Sequence, residues 1–286
     1  MNNKGFPLKI VDLMIYVITF VIFLFWIYPF YYVLIISIMP FEDFNNEVLH
    51  LFPKGISFDY YTSFIQNPDL LNSYKISIIR TVLGVSASLV VTSMAAYVIS
   101  KKKLKLFKIL NVFVTIPMLF GGGMIPFYLV VRQLHLTNTL FGLIIPFLVG
   151  SYNLFILKSY FMSIPEELEE SAQIDGANQF TIFWRIIWPV ATPGLAVLVL
   201  LSATFHWNDF FWSGLLVSDQ KLYTIAVQLR NMLASGQRSA QFQGKASSDL
   251  QSTAAVTMLI IIPIMIVYPF IQKYFTKGLM IGAVKG

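Results

Sequence analysis

Six apolar runs, at roughly residues 11–39, 74–99, 108–131, 139–161, 191–216 and 253–272, limit what this chain can fold into more than any other feature. A helix needs about 20 apolar residues to cross the hydrocarbon layer of a bilayer, and each run supplies about that many. With 57% hydrophobic residues and 12% charged ones in 286, the chain carries more apolar surface than one aqueous core can hide. The expected fold is therefore all-α: a polytopic membrane protein with about six transmembrane helices, read as a single domain over 1–286. The run that starts at Val11 is too long for a secretion signal, and no small-residue cleavage site follows it. It is expected to remain as the first span.

Direction follows from the basic residues. Six spans put both termini on one side, and Lys4, Lys9, Lys101, Lys102, Lys103, Lys105, Lys108, Lys158, Arg185, Lys273, Lys277 and Lys285 all fall there. The positive-inside rule makes that side, and both termini, cytoplasmic. The outer segments are then about 40–73 and 217–252. The net charge of +6 lies in short clusters between apolar runs, so topology explains it better than nucleic-acid binding. Cysteine is absent, and His50, His135 and His206 are scattered, so neither a disulfide nor a metal site is expected. Arg80 lies inside the second run and is expected to snorkel or to face the bundle interior. Pro117, Gly121, Gly122, Gly123 and Pro126 interrupt the third run, and Pro193 and Gly194 the fifth. Such breaks persist in a membrane only where neighbouring helices or a wet cavity satisfy the freed backbone groups.

The most informative stretch is 163–193, SIPEELEESAQIDGANQFTIFWRIIWPVATP. It reads as two short helices joined at a turn. Ser163 and Glu166 have capping-box spacing, and Glu166, Glu167, Glu169 and Glu170 complement the positive end of the helix dipole. Asp175 and Gly176 supply the stop. Phe180, Phe183, Trp184, Ile187 and Trp188 recur at spacing three and four, which makes the second helix amphipathic and lays it against something apolar.

Within that stretch Glu170-Ser171-Ala172, then Asp175-Gly176-Ala177, then Phe183, Ile186 and Pro189 resemble the EAA loop of ABC importer membrane subunits, with Ser171 at the usual first alanine. The resemblance runs over nearly the whole chain. GGGMIPFYLVVRQLHLTNT from Gly121, WNDFFW from Trp207, LYTIAVQLRNML from Leu222 and QKYFTKGLMIGAVKG from Gln272 look like the carbohydrate-uptake branch of that family, closest to permeases for complex oligosaccharides and polysaccharide fragments. The resemblance implies the binding-protein-dependent importer permease fold in a bacterial cell membrane. It also implies that Glu166, Glu167, Glu170, Ser171, Ala172, Asp175, Gly176, Ala177 and Phe183 couple the chain to a cytoplasmic ATPase. The implied partners are a second homologous permease, two copies of the ATPase and an extracellular sugar-binding lipoprotein. ATP and Mg would be bound by the ATPase. This chain is expected to hold no cofactor and no catalytic residue, since Gly244-Lys245 lacks the earlier glycine of a phosphate loop.

Carbohydrate pathways pair aromatic faces with amides and carboxylates, because a sugar presents both C–H surfaces and hydroxyls. Trp207, Asn208, Asp209 and Trp212, near the outer end of the fifth run, fit that chemistry, and Tyr152 and Asn153 in the fourth are further candidates. Asp209 has a second expectation, that it caps or braces a helix end. The segment 233–252 is rich in Gly, Ser and Gln and is expected to be a mobile loop, resembling by position one that reaches into the binding protein. Two rivals stay open: an ABC importer permease for a non-carbohydrate solute, and an ion-coupled secondary transporter, although no inverted repeat is evident.

Overall fold

The computed structural model describes the backbone of residues 7–46, 52–242 and 246–283, and the side chains of 11–44, 52–235 and 250–269. Every regular element among them is helical: α1 (Pro7–Ile38), α2 (Phe41–Asn46), α3 (Asp59–Gln66), α4 (Pro68–Ser100), α5 (Phe107–Leu119), α6 (Met124–Gln133), α7 (Ser151–Phe161), α8 (Glu167–Ile174), α9 (Gln179–Ile182), α10 (Trp188–Val190), α11 (Thr192–Asn208), α12 (Phe211–Leu216), α13 (Ile225–Phe242) and α14 (Ala246–Ala283). Three segments, Val11–Ile38, Pro68–Ser100 and Leu250–Pro269, are long and apolar enough to cross a membrane, and three bent helix pairs raise the number to as many as six.

Contacts divide the chain into two units, residues 1–67 with 231–261 and residues 68–230 with 262–286. In the first, the end of α1 is held by a buried glutamine. The last carbonyls of a helix lack internal donors. Gln251 supplies one, its Nε2 donating to Ile36 O at 3.3 Å and Met39 O at 2.7 Å, while the Tyr60 hydroxyl donates to Gln251 Oε1 at 2.9 Å.

The second unit is organised around α4. Ser73, Ser77, Arg80, Gly84, Ser88, Thr92, Ala96 and Ser100 recur every three or four residues and are all buried. Small residues in such a stripe let neighbouring helices approach closely in lipid, and α11 and α7 pack on α4. Gly84 shows how close: a Cβ there would stand 2.5 Å from His206 Nε2 on α11. Both ring nitrogens of that buried His206 lack a hydrogen-bond partner among the described residues.

The third and fifth runs break where their prolines and glycines predict, and the fourth bends as well. The third run turns through 117° between α5 and α6, at Gly121, Gly122 and Gly123. The fourth bends by 49° after two 3-10 turns at Phe141–Leu143 and Ile145–Phe147. Pro146 offers no amide to the turn before it, and α4 satisfies carbonyls on both sides of the proline: Arg80 Nε donates to Leu143 O at 3.1 Å, and Ser88 Oγ and Thr92 Oγ1 each donate to Leu148 O at 2.8 Å. The fifth ends as a helix at Asn208 instead of continuing to 216, and it meets the segment before it at 81°. The segment 233–252, expected as a loop, has helical backbone on both sides of residues 243–245, because Ala, Gln and Ser cost a helix little. Gly244 and Lys245 lie outside the described residues.

The loops of the second unit sort to two ends. At one, Lys101 and Lys103 meet the acidic residues of α8. At the other, Asn72 Nδ2 donates to Lys221 O at 2.7 Å, and Asn138 Oδ1 accepts from Ser218 N at 2.6 Å and Asp219 N at 3.2 Å. Each bent pair therefore carries the chain from one end to the other.

Candidate functional site: a hairpin and a buried ion pair

The hairpin has the two helices and the corner expected of it. Ala177 N donates to Ala172 O at 2.9 Å and Gly176 N to Gln173 O at 3.0 Å, the paired bonds of a Schellman stop, with Gly176 at φ +82°. Asn178 starts the second helix, its Oδ1 accepting from Thr181 N at 2.8 Å. The expected capping box is absent: Ser163 Oγ donates to Tyr160 O at 2.7 Å, and Glu166 opens α8 with no side-chain cap. The acids bind lysines across the fold. Lys103 Nζ lies 2.8 Å from Glu166 and 3.3 Å from Glu170, and Lys101 pairs with Glu169. A hydrogen bond from Lys103 holds the Glu166 carboxyl below its ordinary pKa, and Glu166 in turn raises Lys103.

The second helix packs through a π turn at Phe183–Ile187. Phe183 and Ile187 are buried with Tyr97, Leu157 and Phe161, and the ring of Phe183 lies 5.0 Å from that of Tyr97. Ile182, missed by the periodicity, is fully buried. Phe180, on the apolar face expected of the second helix, is 66% exposed, and Ile174 beside the corner is 87% exposed. Four residues of helix cannot bury one continuous stripe, and the π turn rotates the following residues onto the core. The hairpin thus anchors one edge in the bundle and leaves apolar side chains outside.

A Cβ added at Gly176 meets nothing within 4 Å, so only backbone conformation restricts that position. Gly176→Val should strain the corner by about 1–2 kcal/mol, whereas Gly176→Asn should be nearly neutral, because asparagine tolerates the left-handed region. Proteolysis at the corner reads this directly. Equal protection of both variants would remove the strain argument.

At the opposite end Arg80 and Asp209 form a buried ion pair at 2.7 Å, with side chains 0% and 5% exposed. Arg80 uses its whole fork: Nε donates to Leu143 O at 3.1 Å, and Nη1 donates to His206 O at 3.1 Å and Ser213 Oγ at 2.7 Å. Asp209 Oδ1 accepts from Trp212 N at 2.9 Å, and Oδ2 accepts from Ser213 N at 3.1 Å and Ser213 Oγ at 2.9 Å. Arg80 faces the interior, and Asp209 braces the break between α11 and α12. Opposite charges inside two apolar runs were the available signal for this pair, although nothing in the spacing matched them.

Trp212 joins an aromatic cluster that sequence spacing did not assemble. Its ring lies 4.6 Å from Phe127 and 6.0 Å from Phe147, and Phe147 lies 5.2 Å from Phe205. Trp207 is buried, edge-on to Tyr74 at 5.7 Å, while Asn208 is exposed. Tyr152 and Asn153 lie on α7, and no hydrogen bond or ring contact joins them to the cluster among the described residues.

Residues 88–281 match the family described as binding-protein-dependent transport system inner membrane component. The chain belongs to this family. The matched stretch contains the hairpin and Asp209, while Arg80 lies before it. Among curated relatives, Protein LplC of Bacillus subtilis is 37% identical over 264 residues, covering 91% of this chain and 90% of that protein. The polygalacturonan/rhamnogalacturonan transport system permease protein YtcP of the same organism is 34% identical, covering 97% and 99%. Among solved structures, a chain of a bacterial ABC transporter involved in import of the acidic polysaccharide alginate superposes with a TM-score of 0.87 at 30% identity, covering 96% of this chain and all of that one. The fold is that of a multi-pass importer permease.

Proposed function

We propose that this chain is one membrane-spanning subunit of an ATP-driven importer that moves an oligosaccharide or polysaccharide fragment inward by alternating access. It works with a second related permease, two copies of a cytoplasmic ATPase and an extracellular sugar-binding lipoprotein. The ATPase, not this chain, binds ATP and Mg, and both termini are cytoplasmic. The observation that carries the reading is the hairpin, fixed to the bundle by Phe183 and Ile187 yet presenting Ile174 and Phe180 outward. Exposed apolar groups on a rigid corner are suited to a partner's cleft. Carbohydrate as cargo is supported by the names of relatives that align over almost their whole length. Since Asp209 is committed to Arg80 and Ser213, sugar contact in this reading falls to Asn208 and Trp212, with Tyr152 and Asn153 on α7.

Ile174→Glu should leave insertion intact and reduce the ATPase recovered with the tagged complex about tenfold, the equivalent of about 1.4 kcal/mol. Wild-type recovery would detach Ile174 from the contact. The function itself is tested by reconstituting the four components in vesicles and measuring ATP-dependent uptake of a panel of acidic and neutral oligosaccharides. Uptake of none would favour a non-carbohydrate solute. A stable complex that never contains an ATPase would favour the ion-coupled transporter.

A further inference from the structure

The two lysines that meet α8 are not equivalent. Lys103 and its partner Glu166 have side chains 74% and 59% exposed, and pairs of that kind are worth little in water. Lys101 and Glu169 are 29% and 12% exposed. The Lys101 ammonium also lies 4.1 Å from the centre of the Tyr97 ring, and the Tyr97 hydroxyl donates to Gln179 Oε1 at 3.4 Å, on the second helix of the hairpin. One turn at the end of α4 therefore grips both arms of the hairpin. Glu169 faces this grip, away from the exposed Ile174.

The helix behind the grip can transmit movement. α4 runs unbroken for 33 residues, about 50 Å at 1.5 Å per residue, whereas the three spans that follow it bend by 117°, 49° and 81°. Its far half carries Arg80, hydrogen-bonded to Leu143, His206, Asp209 and Ser213. A displacement at Lys101 is thus applied to the groups that hold the α11–α12 break together.

We propose that Lys101, held between the ring of Tyr97 and the carboxylate of Glu169, is the positioning residue that makes α4 move with the hairpin, so that ATP-driven displacement of the hairpin reaches the Arg80–Asp209 pair. This rests on the importer reading above. The competing route is covalent, since the hairpin continues directly into α11. If that route sufficed, the grip would be dispensable.

The test uses the complete reconstituted complex and a double-mutant cycle, because spatial continuity alone does not demonstrate coupling. Lys101→Glu and Glu169→Lys are each expected to keep the ATPase bound and its basal rate unchanged, while stimulation of ATP hydrolysis by the sugar-loaded binding protein falls at least about fivefold. Combining them restores the ion pair with reversed sign but not the cation on the Tyr97 ring, and should return a large part of the stimulation lost in either single variant, whereas Lys101→Arg, which keeps both contacts, should keep it throughout. A merely structural role would move yield and basal rate, not their ratio to the stimulated rate. Full stimulation in both single variants, or no rescue in the combined one, overturns the proposal. A wild-type chain that binds no ATPase overturns the importer reading and this proposal with it. Should the single variants express poorly, Lys101→Met decides by the same ratio.

Discussion

Arg80→Met should be among the most damaging single changes available in this protein, costing about 3–5 kcal/mol, because it leaves the Asp209 carboxylate buried without its cation. The carbonyls of Leu143 and His206 would lose donors at the same time. Removing the charge from both sides separates these effects. Arg80→Met combined with Asp209→Asn should recover much of the loss, because neutral groups of similar volume often replace a buried ion pair at small net cost, while the unmet carbonyls account for the remainder. The side-chain amide oxygen introduced in place of the carboxylate would still accept from the Trp212 N–H. Thermal unfolding of the detergent-solubilised protein, followed by the loss of its monodisperse elution peak, checks the series. A single Arg80→Met variant as stable as the parent would mean that the pair does not form.

Gly142→Ala should be nearly as severe for an unrelated reason. A Cβ at Gly142 would stand 2.0 Å from the backbone oxygen of Leu136, so the chain itself has to move. That turn has no slack. His135 and Asn138 already sit at φ +56°, Thr139 Oγ1 bridges Leu136 O at 2.7 Å and Gly142 N at 2.9 Å, and Asn138 clasps the segment around Ser218. We expect a loss of more than about 3 kcal/mol, in the range reserved for strained or broken backbone networks. Gly121→Ala is the control. A Cβ there meets nothing within 4 Å and its backbone is not left-handed, so the change should be worth less than about 1 kcal/mol in either direction. Equal melting temperatures for the two variants would show that the turn can rearrange.

Much of the fold is legible from composition and periodicity because the bilayer asks a simple question of each segment. The six runs, the two-armed hairpin and the left-handed Gly176 follow from local chemistry: apolar length, aromatic spacing and a residue without a Cβ. Local reasoning fails where a partner distant in sequence competes. Ser163 has capping-box spacing with Glu166, yet Lys103 takes that glutamate and the serine hydroxyl bonds the preceding turn. Phe180 has the right spacing for the core, but the π turn after it changes the count. The bend in the fourth run had a visible cause in Pro146. Its tolerance depends on Ser88 and Thr92, which lie more than fifty residues away.

The sequence by itself determined that this chain crosses a membrane as helices, carries a hairpin with a glycine corner and resembles importer permeases, because each of these is written in neighbouring residues. Only the tertiary structure decided which charges meet. Lys101 faces Glu169 and Arg80 faces Asp209 because burial makes an unpaired charge costly. The partners are then chosen by which helices pack against α4, which no local pattern encodes.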